Sequence, residues 1–182
     1  MNWNDHSKLK GSHAPFSPSQ PAWLRYDNHK LLLARENQEA KKRGTELHEW
    51  AEKTINLGIK QRKTKQALNA YVNDAIGFAM DTEKTLYYSG NFYGTADAIC
   101  FRDGLLRIHD LKTGKTPVRM DQLLVYAALF CLEYRYDPID ISIELRIYQG
   151  SEVIIHEPVP EEVQEIMDII VEDDRLLRDN GY

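Results

Sequence analysis

The sequence predicts an α/β protein built on a mixed sheet flanked by helices, and three observations carry that prediction. The N-terminal third repeats apolar residues at helical spacing. The middle alternates apolar and polar residues between turn signals. The C-terminal part then runs helix, two strands, helix. The expected element order is ααα-βββ-α-ββ-α in one domain over residues 1–182, with no internal repeat.

Residues 1–30 contain Pro15, Pro18 and Pro21 and read as an extended lead-in ending in Trp23-Leu24-Arg25-Tyr26. A first helix is expected over 30–42. Gly44-Thr45 then opens a second, with Thr45 as N-cap, Leu47, Ala51 and Ile55 on its apolar stripe, and Leu57-Gly58 as its stop. A third helix over 63–80 places Leu68, Tyr71, Val72, Ala75, Ile76 and Ala79 on one face. Strands are expected at 85–92, 94–102 and 105–112, the last two joined at Asp103-Gly104, a hairpin signal. A helix over 119–134 stops before Pro138. Strands at 140–148 and 152–157 flank Gln149-Gly150, and an acidic amphipathic helix runs from near Pro160 toward Arg178.

The length allows a buried core without covalent staples. The longest apolar run, 123–132, is too short to span a bilayer. The first residues hold no apolar stretch of the signal-peptide kind, and the two cysteines, Cys100 and Cys131, suggest a reducing compartment. A cytoplasmic protein without a membrane partner is therefore expected. Residues 1–65 hold 13 basic and 7 acidic side chains, against 10 and 21 in the remainder, within a net charge of −5. Basic clusters in the first part can steer a polyanion, but a solvated helix face has the same composition.

The chemistry concentrates in 94–114. Leu106, Ile108, Asp110 and Lys112 alternate onto one strand face, and the preceding hairpin strand brings Asp97 alongside Asp110. Two carboxylates offer hard oxygen ligands suited to Mg²⁺ or Mn²⁺, and an adjacent ammonium can orient a water and stabilise developing charge. That is the equipment of a metal-dependent phosphodiester hydrolase. Upstream, His48 and Glu52 share a helix face, and His48 would add a nitrogen ligand. Downstream, Gln122 and Tyr126 share another. Each pair taken alone also fits ordinary surface or packing residues.

The segments GTELHEWAE (44–52), GTADAI (94–99), DLKTGK (110–115) and QLLVYA (122–127) resemble the successive motifs of the PD-(D/E)XK nuclease superfamily. The likeness is to the branch holding RecB-type nuclease domains, CRISPR-associated RecB-like exonucleases and phage exonucleases. It covers 44–127 most firmly and extends loosely to 17–26. The resemblance implies a restriction-endonuclease-like core, with His48, Asp97 and Asp110 as metal ligands, the Leu111 carbonyl as a further ligand, and Glu52 assisting a second metal. It also implies Lys112 as the catalytic lysine, with Gln122 and Tyr126 contacting substrate. An iron–sulfur cluster, which several relatives carry, is not expected because no cysteine exists beyond Cys100 and Cys131.

The expected activity is a Mg²⁺/Mn²⁺-dependent DNA exonuclease of phage recombination, replication or repair, acting in a bacterial host's cytoplasm. Arg43, Lys115 and Arg119 are candidate phosphate contacts. A phage single-strand annealing or recombination protein and a homo-oligomeric state are candidate partnerships. A structure- or site-specific endonuclease of the same fold, and a catalytically silent DNA-binding or assembly protein, stand as alternatives. The string KTGKT at 112–116 is not a phosphate-binding loop, since the glycine such a loop needs at 109 is His109.

Overall fold

A computed structural model describes residues 14, 16, 18 and 21–182. The chain divides into two compact units, Met1–Thr45 and Glu46–Tyr182. Its helices are α1 (Asn28–Asn56), α2 (Ala67–Gly77), α3 (Asp121–Tyr134) and α4 (Pro160–Asp179). Its strands are β1 (Asp81–Tyr87), β2 (Tyr93–Arg102), β3 (Leu105–Lys112), β4 (Ser142–Gln149) and β5 (Glu152–His156). No described helix is long and apolar enough to cross a membrane.

The extended lead-in gives way earlier than expected. Pro21–Arg25 forms a 3-10 turn, and Asp27 Oδ1 accepts the Lys30 N–H at 2.7 Å as α1 begins. The lead-in before 21 lies outside the described residues, apart from 14, 16 and 18. The two helices expected on either side of Gly44 are one. Thr45 does not cap a new helix; its hydroxyl donates back to the Lys41 carbonyl at 3.2 Å, inside α1. A glycine within a helix costs only about 1 kcal/mol, which neighbouring turns absorb.

In the second unit α2 is shorter than its apolar period suggested. Asn73 pairs its side-chain amide with both the N–H and the carbonyl of Gln61, at 2.7 and 2.9 Å, and Asn69 bonds the Arg62 carbonyl. These bonds satisfy the incoming backbone outside a helix, so 61–66 stays irregular. At the other end Ala79 turns left-handed, φ +48°, and releases the chain into β1. That strand lies nearer the N-terminus than expected. The segment around Ser89 forms the hairpin turn instead, with Tyr88 N–H bonded to the Phe92 carbonyl at 2.9 Å.

The five strands form one sheet in the order β1-β2-β3-β4-β5, antiparallel except for β3 and β4, which run parallel around the α3 crossover. Against one side, α3 and α4 bury Leu123, Ala127 and Val163 with Leu106, Ile108 and Leu145. Against the other, Ala51 and Ile55 of α1 join Tyr71, Val72 and Ala75 of α2 over Ala98, Leu111 and Tyr148. Both cysteines are buried and unpaired in these cores.

One buried polar chain stiffens the β3/β4 centre. The Tyr148 hydroxyl donates to Asp74 Oδ2 at 2.8 Å and lies 3.3 Å from His109 Nδ1. Its oxygen therefore accepts from Nδ1–H, leaving buried Nε2 without a partner. Burial, then the Arg146 and Arg107 charges, holds the His109 pKa down to about 3. Between pH 6.5 and that value the unfolded chain takes a proton that the fold refuses, so stability falls as pH falls. His109→Gln should remove roughly 2–3 kcal/mol of the stability difference between pH 7 and pH 4, measured by urea unfolding at both values.

Candidate active site

The site forms where the sheet stops closing. Backbone pairing of β2 with β3 runs from Arg102↔Leu105 to Ala98↔His109. One step further would set Asp97 against Asp110, and there a side chain takes over. The Asp97 Oδ2 accepts the Leu111 N–H at 2.9 Å. Ala96 lies in the core under α3, whereas Ala98 lies in the core under α1 and α2. A regular strand would place both on one side, so β2 turns over at Asp97.

The partner strand is irregular at the same level. Thr82↔Ala98 and Lys84↔Ala96 bracket Glu83, which therefore faces Asp97. Glu83 has φ +50°, a left-handed conformation uncommon for a non-glycine residue. His48, on the part of α1 in the same unit, completes the group: its Nδ1 lies 3.4 Å from Asp97 Oδ2. One ligand atom from each of His48, Glu83 and Asp97 lies within 4.8 Å of the others. Glu52, one helical turn beyond His48, is half-buried beside them, and its charge helps raise the Glu83 pKa, after burial.

The sequence reading missed Glu83. Its strand was expected to start at 85, which left Glu83 in a connector. The observed turn is centred on Gly90, between Tyr87 and Tyr93, and that register sets Glu83 against Asp97; the expected strand bounds put the turn at 93 and hid the pairing.

Asp110 and Lys112 lie beside this group. Asp110 is only 3% exposed. Lys112 Nζ donates to its Oδ1 at 3.1 Å. Oδ2 is equally near Nζ but accepts no hydrogen bond. The same ammonium donates to Gln122 Oε1 at 2.7 Å. Gln122 Nε2 lies 3.4 Å from the Tyr126 hydroxyl, which donates to the Thr95 carbonyl at 2.7 Å. This series ties β3, α3 and β2 together around the lysine. It also explains Gly94, where a Cβ would sit 2.9 Å from Tyr126 Cε1.

Two clefts meet at Lys112. One, of about 310 Å³, is lined by Gly114, Thr116, Arg119, Gln122 and Gln149. The other, of about 300 Å³, is lined by Leu47, Gln66, Leu68 and Tyr148. Gln149 Nε2 pins the first cleft's loop by donating to the Gly114 and Thr116 carbonyls, at 2.7 and 2.9 Å. Lys115 is exposed on that loop, and Arg119 pairs with Asp121 at 3.0 Å. Arg43 is exposed on α1 within the first unit.

No family model, curated protein or solved structure matches the chain. An imidazole nitrogen, clustered carboxylates and a buried Asp110 oxygen that accepts no hydrogen bond, though it lies beside the Lys112 ammonium, fit a divalent cation of the Mg²⁺ or Mn²⁺ kind.

Burial is the main cause that lifts the Asp97 pKa to about 6; the Leu111 N–H opposes it and the Asp110 charge adds to it. A carboxyl with a raised folded pKa favours folding below its unfolded value and loses that contribution as pH rises through about 6. The Asp97 contribution to metal-free stability should therefore fall between pH 5 and pH 7, read as the difference between parent and Asp97→Asn because His109 acts in the opposite direction over that range. Asp97→Asn, whose amide oxygen still accepts from Leu111, should be about 2 kcal/mol more stable than the parent at pH 7 in EDTA. Thermal melts across that range, with and without Mn²⁺, check both, and Mn²⁺ should stabilise the parent more than the variant.

Proposed function

We propose that this chain is a Mg²⁺- or Mn²⁺-dependent DNA exonuclease with a restriction-endonuclease-like core, a member of the PD-(D/E)XK nucleases on the RecB-like side. The observation that carries the proposal is the His48, Glu83 and Asp97 group, gathered within 4.8 Å, next to an Asp110–Lys112–Gln122 chain. Acids, imidazole and one immobilised ammonium at a sheet opening suit phosphodiester hydrolysis better than any other chemistry in the described residues.

In this reading His48, Glu83 and Asp97 hold the cation. Asp110 Oδ2, which accepts no hydrogen bond, and the Leu111 carbonyl would complete the set, with Glu52 behind them. When bound, the ion neutralises phosphate oxygens and acidifies a water. Lys112 orients that water and stabilises charge on the phosphate, and Asp110 and Gln122 keep its ammonium from wandering. Tyr126 fixes Gln122 and spans to β2. Lys115 and Arg119, at the cleft beside Lys112, contact backbone phosphates, as does Arg43. A phage recombination setting, with a single-strand annealing protein or further copies of the chain as partner, follows from the same reading.

End-labelled linear single- and double-stranded DNA, incubated beside a covalently closed circle, should be degraded from an end with Mg²⁺ or Mn²⁺ while the circle survives. Lys112→Ala should slow turnover by about 10²–10⁴-fold while leaving the fold intact. Rapid cutting of the circle would replace the exonuclease with an endonuclease. No degradation of any DNA with either ion would remove the enzyme altogether.

A further inference from the structure

A row of cross-strand pairs leads away from the metal-binding group along β1 and β2. Next to Glu83 and Asp97 come Thr85 and Thr95, paired in register with their hydroxyls 3.0 Å apart. Next come Tyr87 and Tyr93, again paired in register, with ring centroids 6.3 Å apart and planes inclined by 32°. Alternation places these side chains on the strand face opposite Leu86 and Gly94, which point toward α3. Thr85 and Thr95 are exposed, and the two tyrosines are 52% and 62% exposed. Two large rings left bare side by side serve no core, and neither joins the buried aromatic contacts elsewhere in the unit.

The spacing gives the row a direction. Tyr93 stands four residue steps before Asp97, about 13 Å along a strand at its usual rise. A nucleic-acid strand lying on this face with a phosphate at His48, Glu83 and Asp97 would pass a pair of hydroxyls able to bond its sugar or phosphate. A base a few nucleotides on would then meet the tyrosine rings. Duplex DNA keeps its bases stacked on one another, so only an unpaired strand offers a base face to these rings.

We propose that Tyr87 and Tyr93 form a stacking platform for single-stranded DNA, so that the site takes an unpaired or frayed strand. This rests on the nuclease reading for its direction, but binding tests it independently of cleavage. The affinity of a fluorescein-labelled oligothymidine, followed by anisotropy with Ca²⁺ replacing the catalytic ion, should fall about tenfold or more in Tyr93→Val and Tyr87→Val, which keep strand propensity but lack a ring face. Tyr93→Phe and Tyr87→Phe should bind like the parent. Affinity for a fluorescein-labelled blunt duplex should change little in any variant. Equal oligothymidine binding by the Val and Phe variants overturns the platform, as does a parent that does not bind oligothymidine. Parent protein that binds oligothymidine but hydrolyses no DNA with Mg²⁺ or Mn²⁺ removes the nuclease reading and leaves the platform standing.

Discussion

The bond from the Leu111 N–H to the Asp97 carboxylate is the constraint on which the site depends. In a regular sheet that N–H would pair with backbone. Here it takes a side-chain oxygen at 2.9 Å, just past the last β2/β3 pair. The substitution satisfies a backbone donor that would otherwise be orphaned at the opening. It also fixes one oxygen of Asp97 near His48 Nδ1. The turnover of β2 and the left-handed Glu83 opposite follow at the same level of the sheet. Backbone irregularity of this kind is costly and persists where the surroundings hold it in place. The surroundings here are two packed cores, one on each side of the sheet.

The charges gathered at the opening are expensive without a counter-ion. Burial raises the carboxyls of Asp97, Glu83 and Asp110. It also raises the hydroxyl of Tyr71, to which the charges of Asp97, Glu83 and Asp110 add. Lys112 offsets part of this at Asp110, and His48 lowers all three acids. Such an arrangement trades stability for a function, and a divalent cation is the simplest species that reverses the penalty. The Lys112–Gln122–Tyr126–Thr95 series has a different task. It holds the ammonium, already paired with Asp110, at a set place through Gln122 as well, with Tyr126 tying that glutamine to β2.

Much of this was legible in the chain. The alternation of Leu106, Ile108, Asp110 and Lys112, and the turn at Asp103-Gly104, located β2 and β3 almost to the residue, because a period of two leaves little freedom in register. Gln122 and Tyr126 were legible as one helix face. What failed was local chemistry that competes with periodicity. Thr45 resembles a cap yet bonds backward within α1, and side-chain amides of Asn69 and Asn73 hold the backbone of Arg62 and Gln61, so 63–66 stays outside the helix expected to begin there. The start of β1 was misplaced because no apolar alternation marks 81–84, and Glu83 went unseen with it. Its left-handed backbone is set by tertiary contacts, which no propensity encodes.

An anomalous-scattering map from crystals soaked in Mn²⁺ measures most directly whether the opening holds a cation. A peak bounded by His48, Glu83 and Asp97 is expected, with Asp110 adjoining and Lys112 still held by Gln122. A peak bound elsewhere, or crystals that take up no Mn²⁺ at neutral pH while these residues keep the arrangement described, would contradict the claim that the opening between β2 and β3 is a cation site.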